Sequence, residues 1–191
     1  MVASTELCSL VFQPENQSGS HLVGAAIFAD GAAATVISPD RGGMDHSGVN
    51  VIGTQSVLLP ESRHLMGYDI FDDGFHLRLD RGLPNALVRA VPELVTSFLS
   101  SHGRYREEIG AWLFHPGGIK ILDFLGETFS LEKQQCHWSY DVLREHGNMS
   151  SATILFVLQR FLSERRLEEG ELALVLGIGP GLTVEMILLE G

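Results

Sequence analysis

Two cysteines, Cys8 and Cys136, and two lysines, Lys120 and Lys133, are all that the 191 residues carry of either type. So few thiols cannot frame a disulfide-built secreted domain, and the opening MVASTELCSLVF has neither the basic start nor the small-residue cleavage pattern of a signal peptide. A cytoplasmic setting is the expectation. Basic charge is also scarce: 13 Lys+Arg against 24 Asp+Glu give a net charge of −11 and a pI near 5.1. That argues against nucleic acid or an anionic membrane as the main partner, since both require a basic face. No apolar run approaches the ~20 residues that span a bilayer, and neither a repeat nor a low-complexity linker divides the chain. Charged residues amount to only 19%, below the roughly 25% of an ordinary soluble domain, which suggests surface meant to be covered.

What is present is a 45% hydrophobic chain long enough for one domain with a substantial core. It starts almost at once in strand-like residues, which suggests one part of something longer. Strands are expected at Glu6 to Gln13, Gly31 to Ser38, Asn50 to Val57 and Phe75 to Leu79, the second packed on both faces. Leu87, Val88, Val91, Leu94, Val95, Phe98 and Leu99 form a helical stripe, with Pro84 in the first turn and a bend expected at Pro92. A buried strand, Gly110 to Phe114, leads into a helix from Ile119 to about Leu125, and another helix is read at Asp141 to Glu145. The segment from Gly147 opens a long helix to about Leu162, apolar on nearly every side from Ile154 to Leu158. Strands at Leu172 to Leu176 and Thr183 to Leu189 close the chain. This alternation predicts a layered α/β fold around a largely buried sheet.

Strand ends are where ligands bind in such sheets, and His115 stands at one, followed by Pro116, Gly117 and Gly118. On position alone it is either a histidine satisfied by a backbone carbonyl or a functional one. Asn148 is equally well placed to cap a helix. Together, an imidazole N–H and an amide NH₂ converging from two strand–helix junctions would make an oxyanion hole for a thioester carbonyl or an enolate. The loop Gly177-Ile178-Gly179-Pro180-Gly181 is a tight turn; no helix follows it, so it is no dinucleotide-binding fingerprint. The other histidines, His46 among them, show no metal-ligand spacing, and no metal site is expected. The charged run Glu164-Arg165-Arg166, with Glu168 and Glu169, reads as a solvated helix end.

Three ordered segments carry a resemblance: Trp112 to Gly118 followed by Ile121-Leu122-Asp123, Gly147-Asn148-Met149-Ser150-Ser151-Ala152, and Gly177 to Glu185. They resemble the C-terminal half of the chalcone synthase-like type III polyketide synthases, and Glu6 to Leu10 and Leu22 to Ala34 resemble the segments that follow the nucleophile region in these enzymes. His-Pro-Gly-Gly and Gly-Asn-Met-Ser-Ser favour this branch over the related ketoacyl carrier-protein synthases. The resemblance implies a thiolase-like layered α/β fold, with residues 1–191 as the C-terminal part of a two-part α-β-α-β-α architecture. It also implies a Cys-His-Asn triad that condenses an acyl-CoA starter with malonyl-CoA, using no cofactor beyond the CoA thioesters.

His115 and Asn148 match two members of that triad. The family's nucleophilic cysteine belongs to the other half, and neither Cys8 nor Cys136 matches it. By the same resemblance Phe75 is an aromatic gatekeeper, Cys8 and Ser150 line the cavity, and Gly117, Gly118 and Lys120 mark the tunnel mouth for pantetheine. Gly177, Gly179, Pro180 and Gly181 shape the cavity floor. Around Gly48 a second bulky gatekeeper is missing, which would admit longer acyl chains of the kind used for alkylpyrones, alkylresorcinols or hydroxylated naphthalenes. The family is homodimeric, so self-association or pairing with a Cys-bearing half is expected. A non-catalytic subunit that binds acyl-CoA or a partner is the alternative.

Overall fold

The computed structural model describes residues 1–39 and 48–191; His46 lies outside them. Its elements are β1 (Val2–Glu6), a 3-10 turn (Cys8–Val11), α1 (Gly19–Ile27), β2 (Gly31–Thr35), β3 (Asn50–Leu58), β4 (Met66–Phe71), β5 (Gly74–Leu79), α2 (Leu83–Ser101), β6 (Ile109–Phe114), α3 (Ile119–Phe129), α4 (His137–His146), α5 (Thr153–Glu164), β7 (Leu172–Gly179) and β8 (Thr183–Glu190).

The main sheet has the order β3-β8-β7-β6, parallel between β6 and β7 and antiparallel elsewhere. Side chains alternate across a strand, so the unbroken apolar run of β6 must be covered twice. Trp112 and Phe114 face α2 and α3, joined by Leu172, Leu174 and Leu176 of β7. Ala111 and Leu113, with Ala173 and Val175, face α4 and α5. Trp112 stacks on Phe129 with centroids 4.7 Å apart, and burying each such side chain contributes about 1.5–3 kcal/mol. The expected α/β layering is therefore present, and both faces of β6 and β7 are closed.

Apart from β3, the residues before Leu83 build a separate layer with two small sheets. β1 and β2 pair antiparallel, from Val2 opposite Thr35 to Glu6 opposite Gly31, and β4 and β5 form a hairpin on which α1 packs. Ala29, Ala33 and Val49 attach this layer to the second core. Most of the large apolar side chains that stay exposed belong here, among them Leu10, Phe12, Leu22, Ile70 and Phe71.

Several expectations are corrected. The strand predicted over Glu6 to Gln13 stops at Glu6, because the Ser9 N–H and hydroxyl both donate to the Asp30 carboxylate (2.7 and 2.6 Å) and draw the chain out of the ladder. The same bonds from Ser9 hold the Asp30 carboxyl below its ordinary range. β2 half-buries alternate residues, Gly31, Ala33 and Thr35, and exposes Ala32 and Ala34, instead of packing on both faces. The helix after Gly147 is a 3-10 turn (Ser150–Ala152) followed by α5, whose fully buried stripe is Thr153, Val157 and Phe161; Ile154 and Leu158 are half-buried. β7 runs on through Gly179, so the turn of the last hairpin is shorter than the glycine-rich loop suggested.

Candidate active site

His115 directly follows β6, and its N–H donates to the Leu176 carbonyl of β7 at 2.8 Å, so the sheet sets where the imidazole begins. The Gly117 N–H turns back to the His115 carbonyl (2.9 Å) before α3 starts. Burial lowers the imidazole pKa from its ordinary 6.5 to about 4. The ring is thus neutral at pH 7 and offers one N–H donor and one acceptor.

Asn148 arrives from the C-terminal end of α4. Gly147 has φ +75°, and a Cβ there would stand 2.8 Å from the Ile27 carbonyl, so only glycine lets the chain pass so close to the end of α1. The Asn148 N–H donates to Ile27 O (2.7 Å), and its carbonyl accepts from the Ala29 N–H (2.9 Å). Its side chain is buried. Oδ1 accepts from the Ser150 N–H (2.9 Å) and the Thr153 hydroxyl (3.4 Å), which turns the NH₂ toward the loop after His115, with Nδ2 3.5 Å from Gly117 O. Capping and site geometry are therefore the same arrangement: the oxygen caps the turn, and the nitrogen is presented to the Gly117 carbonyl in the loop that follows His115.

β1 docks on this segment. Ser151 donates its hydroxyl to the Glu6 carboxylate, and Cys8 Sγ lies 3.4 Å from Ser150 Oγ. Beyond them opens a cavity of about 450 Å³, lined by Cys8, Phe12, His21, Phe28, Tyr68 and Leu77 among others. Burial, together with Cys8 and Glu6, raises the Tyr68 phenol pKa. Phe75 is half exposed on β5, edge-to-face with Tyr68 at 6.3 Å, and so stands at the rim of this cavity.

The structure thus gathers His115, Gly117, Asn148, Ser150 and Cys8. Gly118 precedes the first turn of α3, in which Lys120 is exposed. Gly177 adjoins Leu176, the partner of His115 in the sheet. Gly179, Pro180 and Gly181 lie at the hairpin tip, which Leu59 and Ser62 hold through hydrogen bonds to Leu182. Cys136 is buried in the first core, where desolvation pushes its thiol pKa up.

Of the cavity residues only Cys8 was expected; Phe28, Tyr68 and His21 are among those that were not. Phe28 forms a single parallel bridge to Asn148, whereas Gly48 is not among the residues that line the cavity. The signal for Phe28 and His21 was local, since Ser18 accepts from the His21 N–H (3.3 Å) as the N-cap of α1. Among the described residues, no cluster of three or more His, Cys, Asp or Glu could hold a metal, and no helix is long and apolar enough to cross a membrane.

Comparison with known proteins places this geometry. The sequence is 35% identical to a putative chalcone synthase of Bacillus subtilis, aligned over 98% of this chain and 53% of that protein. It is 35% identical to a 1,3,6,8-tetrahydroxynaphthalene synthase of Streptomyces peucetius, over 100% of this chain and 50% of the relative. The crystal structure of the Streptomyces coelicolor tetrahydroxynaphthalene synthase, a bacterial type III polyketide synthase, superposes with a TM-score of 0.89 at 32% identity, covering 98% of this chain and 53% of that one. The chain spans about half the length of these relatives. The family model described as chalcone and stilbene synthases, C-terminal domain, matches residues 50–191. On this match and these relatives, the chain belongs to the chalcone and stilbene synthase family and contains that family's C-terminal domain.

Proposed function

We propose that these residues supply the His and Asn of a type III polyketide synthase site that condenses an acyl-CoA starter with malonyl-CoA. The nucleophilic cysteine comes from polypeptide outside the 191 residues. The observation that supports this most directly is the approach of the Asn148 NH₂ to the loop that carries His115. Two neutral N–H donors converging on one point stabilise negative charge on an oxygen without a competing cation to be desolvated.

In the proposed sequence a cysteine thiolate attacks the starter thioester carbonyl, and the tetrahedral oxyanion is held by His115 and Asn148 as CoA thiolate leaves. A thiolate beside the imidazole would also raise the His115 pKa and be stabilised in return. Malonyl-CoA then loses CO₂, the electron pair of the broken C–C bond entering an enolate whose oxygen takes the same donors. The enolate carbon attacks the acyl thioester, a C–C bond forms, and the cysteine leaves as thiolate. Phe28, Phe75 and Tyr68 would bound the growing chain, while Gly117, Gly118 and Lys120 flank the pantetheine arm, and the hairpin from Gly177 to Gly181 closes the floor. No cofactor beyond the CoA thioesters is needed. The exposed apolar side chains of the first layer fit a Cys-bearing half or a second copy as the covering partner.

The test is CoA release and polyketide formation from acyl-CoA and malonyl-CoA by this chain joined to a Cys-bearing half. His115→Ala and Asn148→Ala are each expected to cut turnover by about 10²–10³, the effect of losing one oxyanion donor. Turnover unaffected by either substitution would overturn the assignment.

A further inference from the structure

We infer that His21 is a specificity-determining residue of the cavity, its ring Nε2 pairing with an oxygen carried on the distal part of the bound acyl or polyketide chain. The inference rests on the synthase reading above.

His21 is 6% exposed, in the first turn of α1, with its ring against Phe12 at a centroid distance of 5.3 Å. Its Nε2 is buried and has no hydrogen-bond partner among the described residues. Buried polar atoms are almost always paired, so an orphan in the wall of a cavity points to a group that enters that cavity. The helix supplies the geometry. His21, Gly24, Ala25 and Phe28 recur at helical spacing and all line the space. Phe28 is the end bridged to Asn148, and seven residues at 1.5 Å each place His21 roughly 10 Å farther along the axis.

The lining also holds the apolar Val11, Phe12, Ala25 and Leu77, together with Tyr68 and with Ser9 and Asp30, which hydrogen-bond to each other. Gly24 keeps it close: a Cβ there would meet Leu77 Cδ2 at 2.7 Å. A chain anchored near Asn148 and threaded along α1 thus passes Ala25 and Gly24 and reaches the unpartnered His21 nitrogen roughly 10 Å on. A neutral imidazole nitrogen is either a donor or an acceptor according to tautomer, so a distal hydroxyl satisfies it in either state and a ketone satisfies the donor. A saturated tail leaves it unpaired. Discrimination against a ligand lacking the oxygen is the stronger kind, because a buried group in the site is then orphaned.

The experiment compares kcat/KM of the complete synthase, this chain joined to its Cys-bearing half, for two acyl-CoA starters of equal length. One is saturated and the other carries a distal hydroxyl. Wild type is expected to favour the hydroxylated starter by about five- to tenfold, the size of one neutral hydrogen bond. His21→Leu should abolish that ratio, and His21→Gln, which keeps a donor, should retain part of it. Wild type that turns over both starters equally overturns the inference and leaves the synthase reading standing, with no variant needed. So does a His21→Leu enzyme that keeps the wild-type ratio. Wild type that turns over neither starter refutes the synthase reading and this inference with it.

Discussion

Replacing Gly147 by alanine tests how Asn148 is set in place. Gly147 has φ +75° and ψ −166°, a region that is essentially glycine's alone and costs another residue about 1–3 kcal/mol. The added Cβ would also stand 2.8 Å from Ile27 O and 3.2 Å from Ala29 Cβ. Relief requires moving the Asn148 segment away from α1, which weakens the bonds from Asn148 N to Ile27 O and from Ala29 N to Asn148 O. Each is worth about 0.5–1.5 kcal/mol net, so the expected loss is about 2–6 kcal/mol. Gly103 provides the control. It has φ +66°, and nothing lies within 4 Å of its virtual Cβ, so Gly103→Ala should cost only the left-handed backbone term, about 1–2 kcal/mol. Equilibrium urea unfolding reports both as a shift of midpoint at constant slope. Equal losses for the two variants would refute the claim that close approach of Asn148 to α1, and not backbone angle alone, makes Gly147 indispensable.

Two further outcomes follow from buried groups. The folded pKa of His115, about 4, lies below its ordinary 6.5, so between these values the unfolded chain binds more protons. Stability should therefore fall as the pH drops from about 6.5 to 4, by up to about 1.4 kcal/mol per unit, and level off below. Urea midpoints across that window should show the slope reduced in His115→Gln, and an identical slope would contradict the burial argument. Ser139, buried in α4, accepts the Phe114 N–H at 2.9 Å at the end of β6. Ser139→Ala should lose about 1–3 kcal/mol; a midpoint unchanged from wild type would show that another acceptor reaches that N–H.

The middle and end of the chain were largely legible as sequence. The stripe from Leu87 to Leu99 lies within α2, and the apolar run before His115 is β6, because 3.6-residue periodicity and an uninterrupted apolar run are local signals that survive tertiary packing. The junction between β6 and α3 was also readable from its glycines at 117 and 118, whereas the one at Gly147, expected to join a strand to a helix, joins α4 to the 3-10 turn before α5. The first 80 residues were less so. β1 finds its partner β2 only across an intervening helix, and α1 is short, with a modest apolar face and only a serine cap to announce it.

By itself, then, the sequence determined which residues could do chemistry: a histidine at a strand end, an asparagine before a serine-rich turn, and two cysteines unlike a nucleophile. Only the tertiary structure decided what they meet. Gly117 and Asn148 are 31 positions apart and touch because α4 packs against β6, bringing the segments that follow them together. Phe28 reaches the site because Gly147 allows α1 to end against Asn148, and His21 lines the cavity because it shares a helical face with Phe28. Periodicity carries information over one helix or strand; the meeting of two elements depends on how their buried faces fit, and no single segment encodes that.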